Sequence, residues 1–268
     1  MTGTQAKDMK KEVIADLLFQ LADDDFLIAF RGSEWLGLAP HIEEDVAFSS
    51  ISQDCMGHAS MYYSLLEELG YGKADELAHL RPVSERRNSI VTERVNGEGH
   101  YMETPKYDWA YAVARNFFYT AAKKIKIDSL KESSYKPLAD AATKINMELY
   151  YHFLHWKTWF VQLMGSTDDA RSRMEKAVHR VEKDFGDMFR FGQYAEEIHD
   201  HKLIGEGPAL QKKWHHEIEK SYETIGMAPP KLSLAAEMDG RLGEHTKDLE
   251  SALETLSAVC RMDTAASW

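Results

Sequence analysis

Two pairs of side chains in this chain have the types and spacing of metal ligands: Asp54 with His58, and Glu148 with His152. In each pair the carboxylate precedes the imidazole by four residues, which on a helix puts both on one face, about 40° apart. Carboxylate and imidazole together on two long helices are the ingredients of a carboxylate-bridged di-metal centre inside a helical bundle. Such a centre takes a Glu-x-x-His pair from each of two helices and one carboxylate from each of the other two, leaving positions open for oxygen. Here the residues three before the histidines are Cys55 and Leu149, and neither is a carboxylate. Moving a carboxylate by one residue turns it about 100° away from the bridging position. An i, i+4 pair of this kind also serves as a helix-stabilising contact, worth about 0.2–0.5 kcal/mol. The residue types therefore leave two readings: a di-metal site using Asp54, His58, Glu148 and His152 in a shifted geometry, or a bundle without metal. Cys55 is expected to be a small buried hydrophobe rather than a thiolate ligand.

The elements that must carry these residues follow from apolar periodicity. The spacing predicts a core of four helices over 8–30, 41–70, 107–127 and 135–164, with further helices over 168–191, 209–225 and 243–262 around it. The class is all-α, in a single domain over 1–268. In the first helix Val13, Leu17, Leu18, Leu21 and Ile28 share a face. Asp23-Asp24-Asp25 in its middle is expected to be a solvated run, with room for one of the three to face the bundle. The second helix opens on Glu43, Glu44 and Asp45, where the macrodipole favours acids, and closes on Gly70. The third, with Trp109, Tyr111, Phe117, Phe118 and Tyr119, is expected to be buried on several faces. From 71 to 105 the periodicity lapses around Pro82 and Pro105, and the stretch reads as a crossover connector. Its Arg81, Arg86, Arg87 and Arg94 are expected to pair with surface acids; these or Lys123, Lys124 and Lys126 are where an anionic substrate tail would find counter-charge.

The formal net charge of −12 argues against nucleic acid or an anionic membrane as a partner. No apolar run reaches the roughly 18 residues a membrane span needs, and the first eleven residues lack an apolar signal core. Cys55 and Cys260 lie far apart in helical patterns and form no disulfide framework. The expectation is a cytoplasmic protein. Phosphate-loop, dinucleotide and nucleophile-elbow motifs are missing, so nucleotide and triad chemistry have no residues to stand on.

The chain resembles the phenylacetyl-CoA epoxygenase proteins of bacterial phenylacetate degradation. The likeness is carried by Gly32-Ser33-Glu34-Trp35-Leu36-Gly37-Leu38-Ala39-Pro40 followed by Glu44-Asp45, by Gln53-Asp54-Cys55-Met56-Gly57-His58-Ala59, by Glu148-Leu149-Tyr150-Tyr151-His152 with Leu163-Met164-Gly165, and by Gly243-Glu244-His245-Thr246. It covers nearly the full length and implies a ferritin-like four-helix bundle core. Two related helical subunits of that family differ at the metal site. The catalytic A subunit reads Gln-Asp-Glu-x-Gly-His on its second helix and Lys-Glu-Glu-x-x-His on its fourth, with acidic ligands on helices one and three. Matched position by position, Cys55 and Leu149 stand where the bridging glutamates belong, His58 and His152 match, Asp25 falls at the helix-one acid and Thr120 at the helix-three acid. That pattern is similar to the non-catalytic C subunit, as are Glu34-Trp35 and Gly-x-His-Thr. The resemblance implies a heteromeric oxygenase that epoxidises the ring of phenylacetyl-CoA. This chain would contribute no catalytic residue, cofactor or metal; an A-type subunit would hold the di-iron, with a B-type bridging subunit and an NADPH-fed reductase completing the assembly. Two alternatives stay open: a di-metal oxygenase or peroxidase using Asp25, Asp54, His58, Glu148 and His152 in a shifted geometry, and a self-associating ferritin-like protein with no oxygenase partner.

Overall fold

The computed structural model of the protein describes residues 3–230, 232, 234 and 237–264, with only the helical backbone described for 3–9. Its helices are α1 (Gly3–Ser33), α2 (Ile42–Glu68), α3 (Ala74–His79), α4 (Ile90–Glu93), α5 (Trp109–Leu130), α6 (Lys136–Met164), α7 (Asp168–Lys183), α8 (Ala195–Asp200), α9 (Gly207–Glu223), α10 (Lys247–Leu256) and α11 (Ala258–Met262). The one sheet among the described residues is a two-stranded hairpin, Gly97–Glu98 against Lys106–Tyr107. The class is all-α and ferritin-like, as the sequence implied. Among the described residues no helix is long and apolar enough to cross a membrane. Backbone contacts gather the chain into two compact units. One takes residues up to Val95 with Gly192–Tyr194 and the segment from Met238; the other takes Asn96–Phe191 and Ala195–Glu237.

The first unit is built on the pairing of α1 with α2. His41 caps α2 in extended backbone, and the acids of its first turn are Glu43, Glu44 and Asp45. Gly70, at φ +79°, ends it. The Gly70 N–H donates to the Glu67 carbonyl at 2.8 Å and the Tyr71 N–H to the Leu66 carbonyl at 3.1 Å, which is the Schellman arrangement that a left-handed glycine permits. The two helices meet closely at Gly32. A β-carbon there would strike the Ser52 hydroxyl and come within 2.8 Å of the Phe48 ring. Gly32→Ala is therefore expected to destabilise the protein by about 1–3 kcal/mol through overpacking. Denaturant unfolding measures this, and Ser52→Ala on the Gly32→Ala background should recover part of the loss.

Between Val13 and Gly32 every residue of α1 except Phe19 is buried. A helix enclosed on all sides is usually apolar on all sides. This one carries Asp16, Gln20, Asp23, Asp24, Asp25 and Arg31, all buried, so each must find a partner. The expectation of a solvated Asp23-Asp24-Asp25 run is thus corrected, since their exposures are 0%, 4% and 2%. The partners come from two distant segments. The first is residues 81–93, part of the stretch 71–105 that the sequence suggested was a connector and that instead holds α3, a 3-10 turn at Val83–Glu85 and α4. The second is 239–248, where the predicted helix 243–262 gives way to a 3-10 turn at Gly240–Leu242, a Gly243 at φ +85°, and then α10 and α11. Thr246 is the N-cap of α10, its hydroxyl accepting the Asp248 N–H at 3.2 Å, and this fixes the helix start four residues later than periodicity placed it.

In the second unit α6, α7 and α9 pack on α5. Asp108 caps α5 by accepting the Ala110 N–H at 3.0 Å. Phe117 stacks on Phe160 with centroids 4.4 Å apart, Phe118 meets Trp214 edge-on at 5.3 Å, and the Trp214 indole N–H donates to the Phe118 carbonyl at 3.1 Å. The predicted helix 168–191 stops at Lys183 and is followed by turns through Phe185 and Met188, both fully buried. α6 is two-sided. Ile145, Leu149, His152, Trp156 and Phe160 are buried, while Met147, Glu148, Tyr150, Tyr151 and Leu154 are exposed.

Candidate functional site

On α2, Cys55, His58 and Tyr62 follow at steps of three and four residues and so share one face, which the pairing with α1 buries to 6%, 1% and 1% exposure. Asp25 of α1 meets them. The donor atoms of Asp25, Cys55 and His58 all lie within 4.8 Å of one another, the one such group among the described residues. The Tyr62 hydroxyl is buried with no hydrogen-bond partner among the described residues. Burial, then the nearby Asp25 and Cys55, push its pKa well above the ordinary phenol value. Asp54 is only half-buried and lies on the neighbouring face.

In the second unit Leu149 and His152 of α6 and Thr120 of α5 are buried to 1%, 4% and 4% exposure. Glu148 is exposed. In each unit the positions that the resemblance matches to metal ligands are therefore interior ones. The shifted ligand set needs Asp54 and Glu148, and the structure places neither on the buried face. A di-iron centre does not fit the residues present. Of its four carboxylate positions only Asp25 is acidic; Cys55, Thr120 and Leu149 hold a thiol, a hydroxyl and an alkyl group.

The other two acids of the Asp23-Asp24-Asp25 run are committed to arginines. Asp23 accepts from the Arg81 guanidinium, from Tyr63 Oη at 2.6 Å, from Arg86 Nη1 at 3.3 Å and from the Arg87 N–H at 2.9 Å. Burial alone would raise its pKa, but Arg81 and Arg86 more than reverse this and hold the carboxyl below its usual range. Asp24 takes a two-pronged contact from Arg241, Nη1 at 2.9 Å and Nη2 at 2.8 Å, and the Ser89 N–H at 2.7 Å. Arg81 and Arg86 therefore pair with an interior acid, not with the surface acids expected of them. The lysines proposed for an anionic tail are also occupied elsewhere: Lys123 and Lys126 are buried, Lys126 Nζ lying 3.4 Å from Met188 Sδ, and Lys124 pairs with Asp128 at 2.9 Å.

A further buried acid, Glu93, carries no signal in the sequence. It accepts from Asn88 Nδ2 at 2.8 Å and from the Thr246 N–H at 2.6 Å, and its Oε2 lies 2.8 Å from His245 Nδ1. The other ring nitrogen of His245 is 3.0 Å from the Arg86 carbonyl, so the ring bridges two acceptors. Arg31 donates to the Glu93 carbonyl at 2.8 Å, to Glu34 at 2.9 Å and to the Asp248 carbonyl at 2.8 Å. The stretches Arg31-Gly32-Ser33-Glu34 and Gly243-Glu244-His245-Thr246 are hence parts of one buried polar junction. The only sequence signal for it was their place among the motifs of the resemblance.

Comparison with known proteins agrees with the resemblance at the level of the family. The model of the phenylacetic acid catabolic protein family matches residues 1–268. The C subunit of the 1,2-phenylacetyl-CoA epoxidase of Escherichia coli (strain K12) is 25% identical over 250 residues, covering 93% of this chain and 96% of that protein. With its model matched along the whole chain, this chain belongs to the phenylacetic acid catabolic protein family.

Proposed function

We propose that the chain is a non-catalytic structural subunit of a multicomponent, cytoplasmic oxygenase that epoxidises the ring of phenylacetyl-CoA, and that it braces the di-iron A-type subunit in a heteromer completed by a B-type bridging subunit and a reductase. The observation that carries this reading is that Cys55 and Leu149, which the resemblance matches to bridging carboxylates, are buried and offer a thiol and an alkyl group instead. The likeness to the C subunit of an epoxidase supplies the reaction. A surface for a partner is available on α6, where Met147, Tyr150, Tyr151 and Leu154 are 50–70% exposed at i, i+3, i+4 and i+7. That is the anchor spacing with which a helix presents an apolar stripe to another protein. Neither Cys55 nor Cys260 is in a disulfide, in keeping with a reducing compartment. An inert bundle fits the task because a catalytic neighbour needs its ligand-bearing helices held to within about 0.5 Å.

The test is reconstitution. The isolated chain is expected to contain no stoichiometric iron and to consume no oxygen, while epoxidation by the A-type subunit and reductase is lost when the chain is left out. Stoichiometric di-iron in the isolated chain, removed by His58→Ala or His152→Ala, would overturn the proposal.

A further inference from the structure

We propose that Asp25, Cys55 and His58 form a site for a single thiophilic divalent cation, of which zinc is the best fit, clamping α1 to α2. The donor atoms already lie within 4.8 Å of one another. Around tetrahedral zinc, with bonds of about 2.0–2.3 Å, ligand atoms stand roughly 3.3–3.7 Å apart. Closing this trio on an ion therefore needs side-chain shifts of about 1 Å or less, with no movement of the helices. Thiolate, imidazole and carboxylate are the mixture that borderline-soft zinc accepts, and this mixture separates the site from an oxygen-rich di-iron centre.

Charge points the same way. Ligation would turn the Cys55 thiol into a thiolate beside the Asp25 carboxylate. A divalent cation cancels both, the thiol proton leaving to solvent as the sulfur–metal bond forms. A second observation is independent of the trio. Tyr62, one turn beyond His58 on the same face, is 1% exposed and its hydroxyl has no hydrogen-bond partner among the described residues. After burial, Asp25 and then Cys55 act on it most strongly, raising its pKa. Water completing the shell of a three-ligand ion would give that hydroxyl the partner it lacks. The inference concerns a different ion and a different purpose from the oxygenase chemistry, and it stands or falls separately from the non-catalytic reading.

Because the trio is enclosed, the ion has to enter as the chain folds. The full-length protein would be unfolded with a chelator present, then refolded with Co2+ or Zn2+ and freed of excess metal. One equivalent retained, thiolate-to-cobalt charge-transfer absorption with tetrahedral ligand-field bands, and a higher unfolding midpoint with Zn2+ are the expected results. Cys55→Ser should abolish the charge-transfer band and Cys260→Ser should leave it intact. If Cys55→Ser fails to fold, the wild-type cobalt spectrum decides alone. A cobalt form with no thiolate band, or a band lost in Cys260→Ser and kept in Cys55→Ser, would sink the proposal. Iron analysis of the same samples reports on the non-catalytic reading, so the two failures are distinguishable.

Discussion

Asp23→Ala is expected to cost about 3–5 kcal/mol of stability, the range for removing one partner of an enclosed ion pair. The carboxylate is fully buried between Arg81, at 8% exposure, and Arg86, at 0%. It also receives the Tyr63 hydroxyl and the Arg87 N–H. Without it two guanidiniums lose their shared counter-charge in a place water does not reach. Urea unfolding at neutral pH measures the loss, with Asp54→Ala on half-buried Asp54 as a control expected to change stability by under about 0.5 kcal/mol. Asp23→Asn separates charge from packing. The folded-state pKa of Asp23 is held below its unfolded value of about 4, so the folded state binds fewer protons there. The advantage of wild type over Asp23→Asn should accordingly be constant at neutral pH, begin to shrink as pH falls below about 4, and vanish once pH has passed the folded pKa. An advantage that stayed constant into strong acid would mean that the carboxylate charge is not what the arginines hold.

Leu149→Glu is expected to be as damaging, at about 4 kcal/mol or more. The leucine is 1% exposed on α6, so the substitution forfeits a core side chain, worth about 2–5 kcal/mol, and buries a carboxyl group at a further cost of about 1–3 kcal/mol. Cys55→Glu should also destabilise, since it sets a second acid beside Asp25. Melting temperatures of both variants in chelator give the answer. An unchanged value for Leu149→Glu would contradict the packing described for α6.

Much of this was legible in the sequence where the signal is local. The limits of α2 came from its acidic first turn and Gly70, and the inward register of His58, Cys55, His152 and Leu149 came from helical spacing. The fate of Asp23-Asp24-Asp25 was not legible, because helical periodicity assigns a face but cannot say what lies beyond it. The side chains that neutralise these acids are far off in sequence: Arg81 is 58 residues from Asp23 and Arg241 is 217 from Asp24. The same non-locality hid the function of residues 71–105. Their lack of period was read as slack, whereas Arg86, Asn88, Ser89, Thr92 and Glu93 are all at 0% exposure. Polar residues that fold around one another's hydrogen bonds leave no hydrophobic rhythm to detect. Glu93 in particular looks ordinary until His245 and Thr246 are placed against it.

The distance between Asp24 and Arg241 also sets a clock on biosynthesis. At about 5–20 residues per second, a ribosome that has just added Asp24 needs about 10–45 s to add the 217 residues to Arg241. Throughout that interval α1 can form and even pair with α2, yet its acid at 24 has no guanidinium to meet. The first unit therefore cannot reach its final packing until Arg241 has been made. A chain terminated before that point lacks the charge that meets Asp24, so its N-terminal half is destabilised and open to proteases.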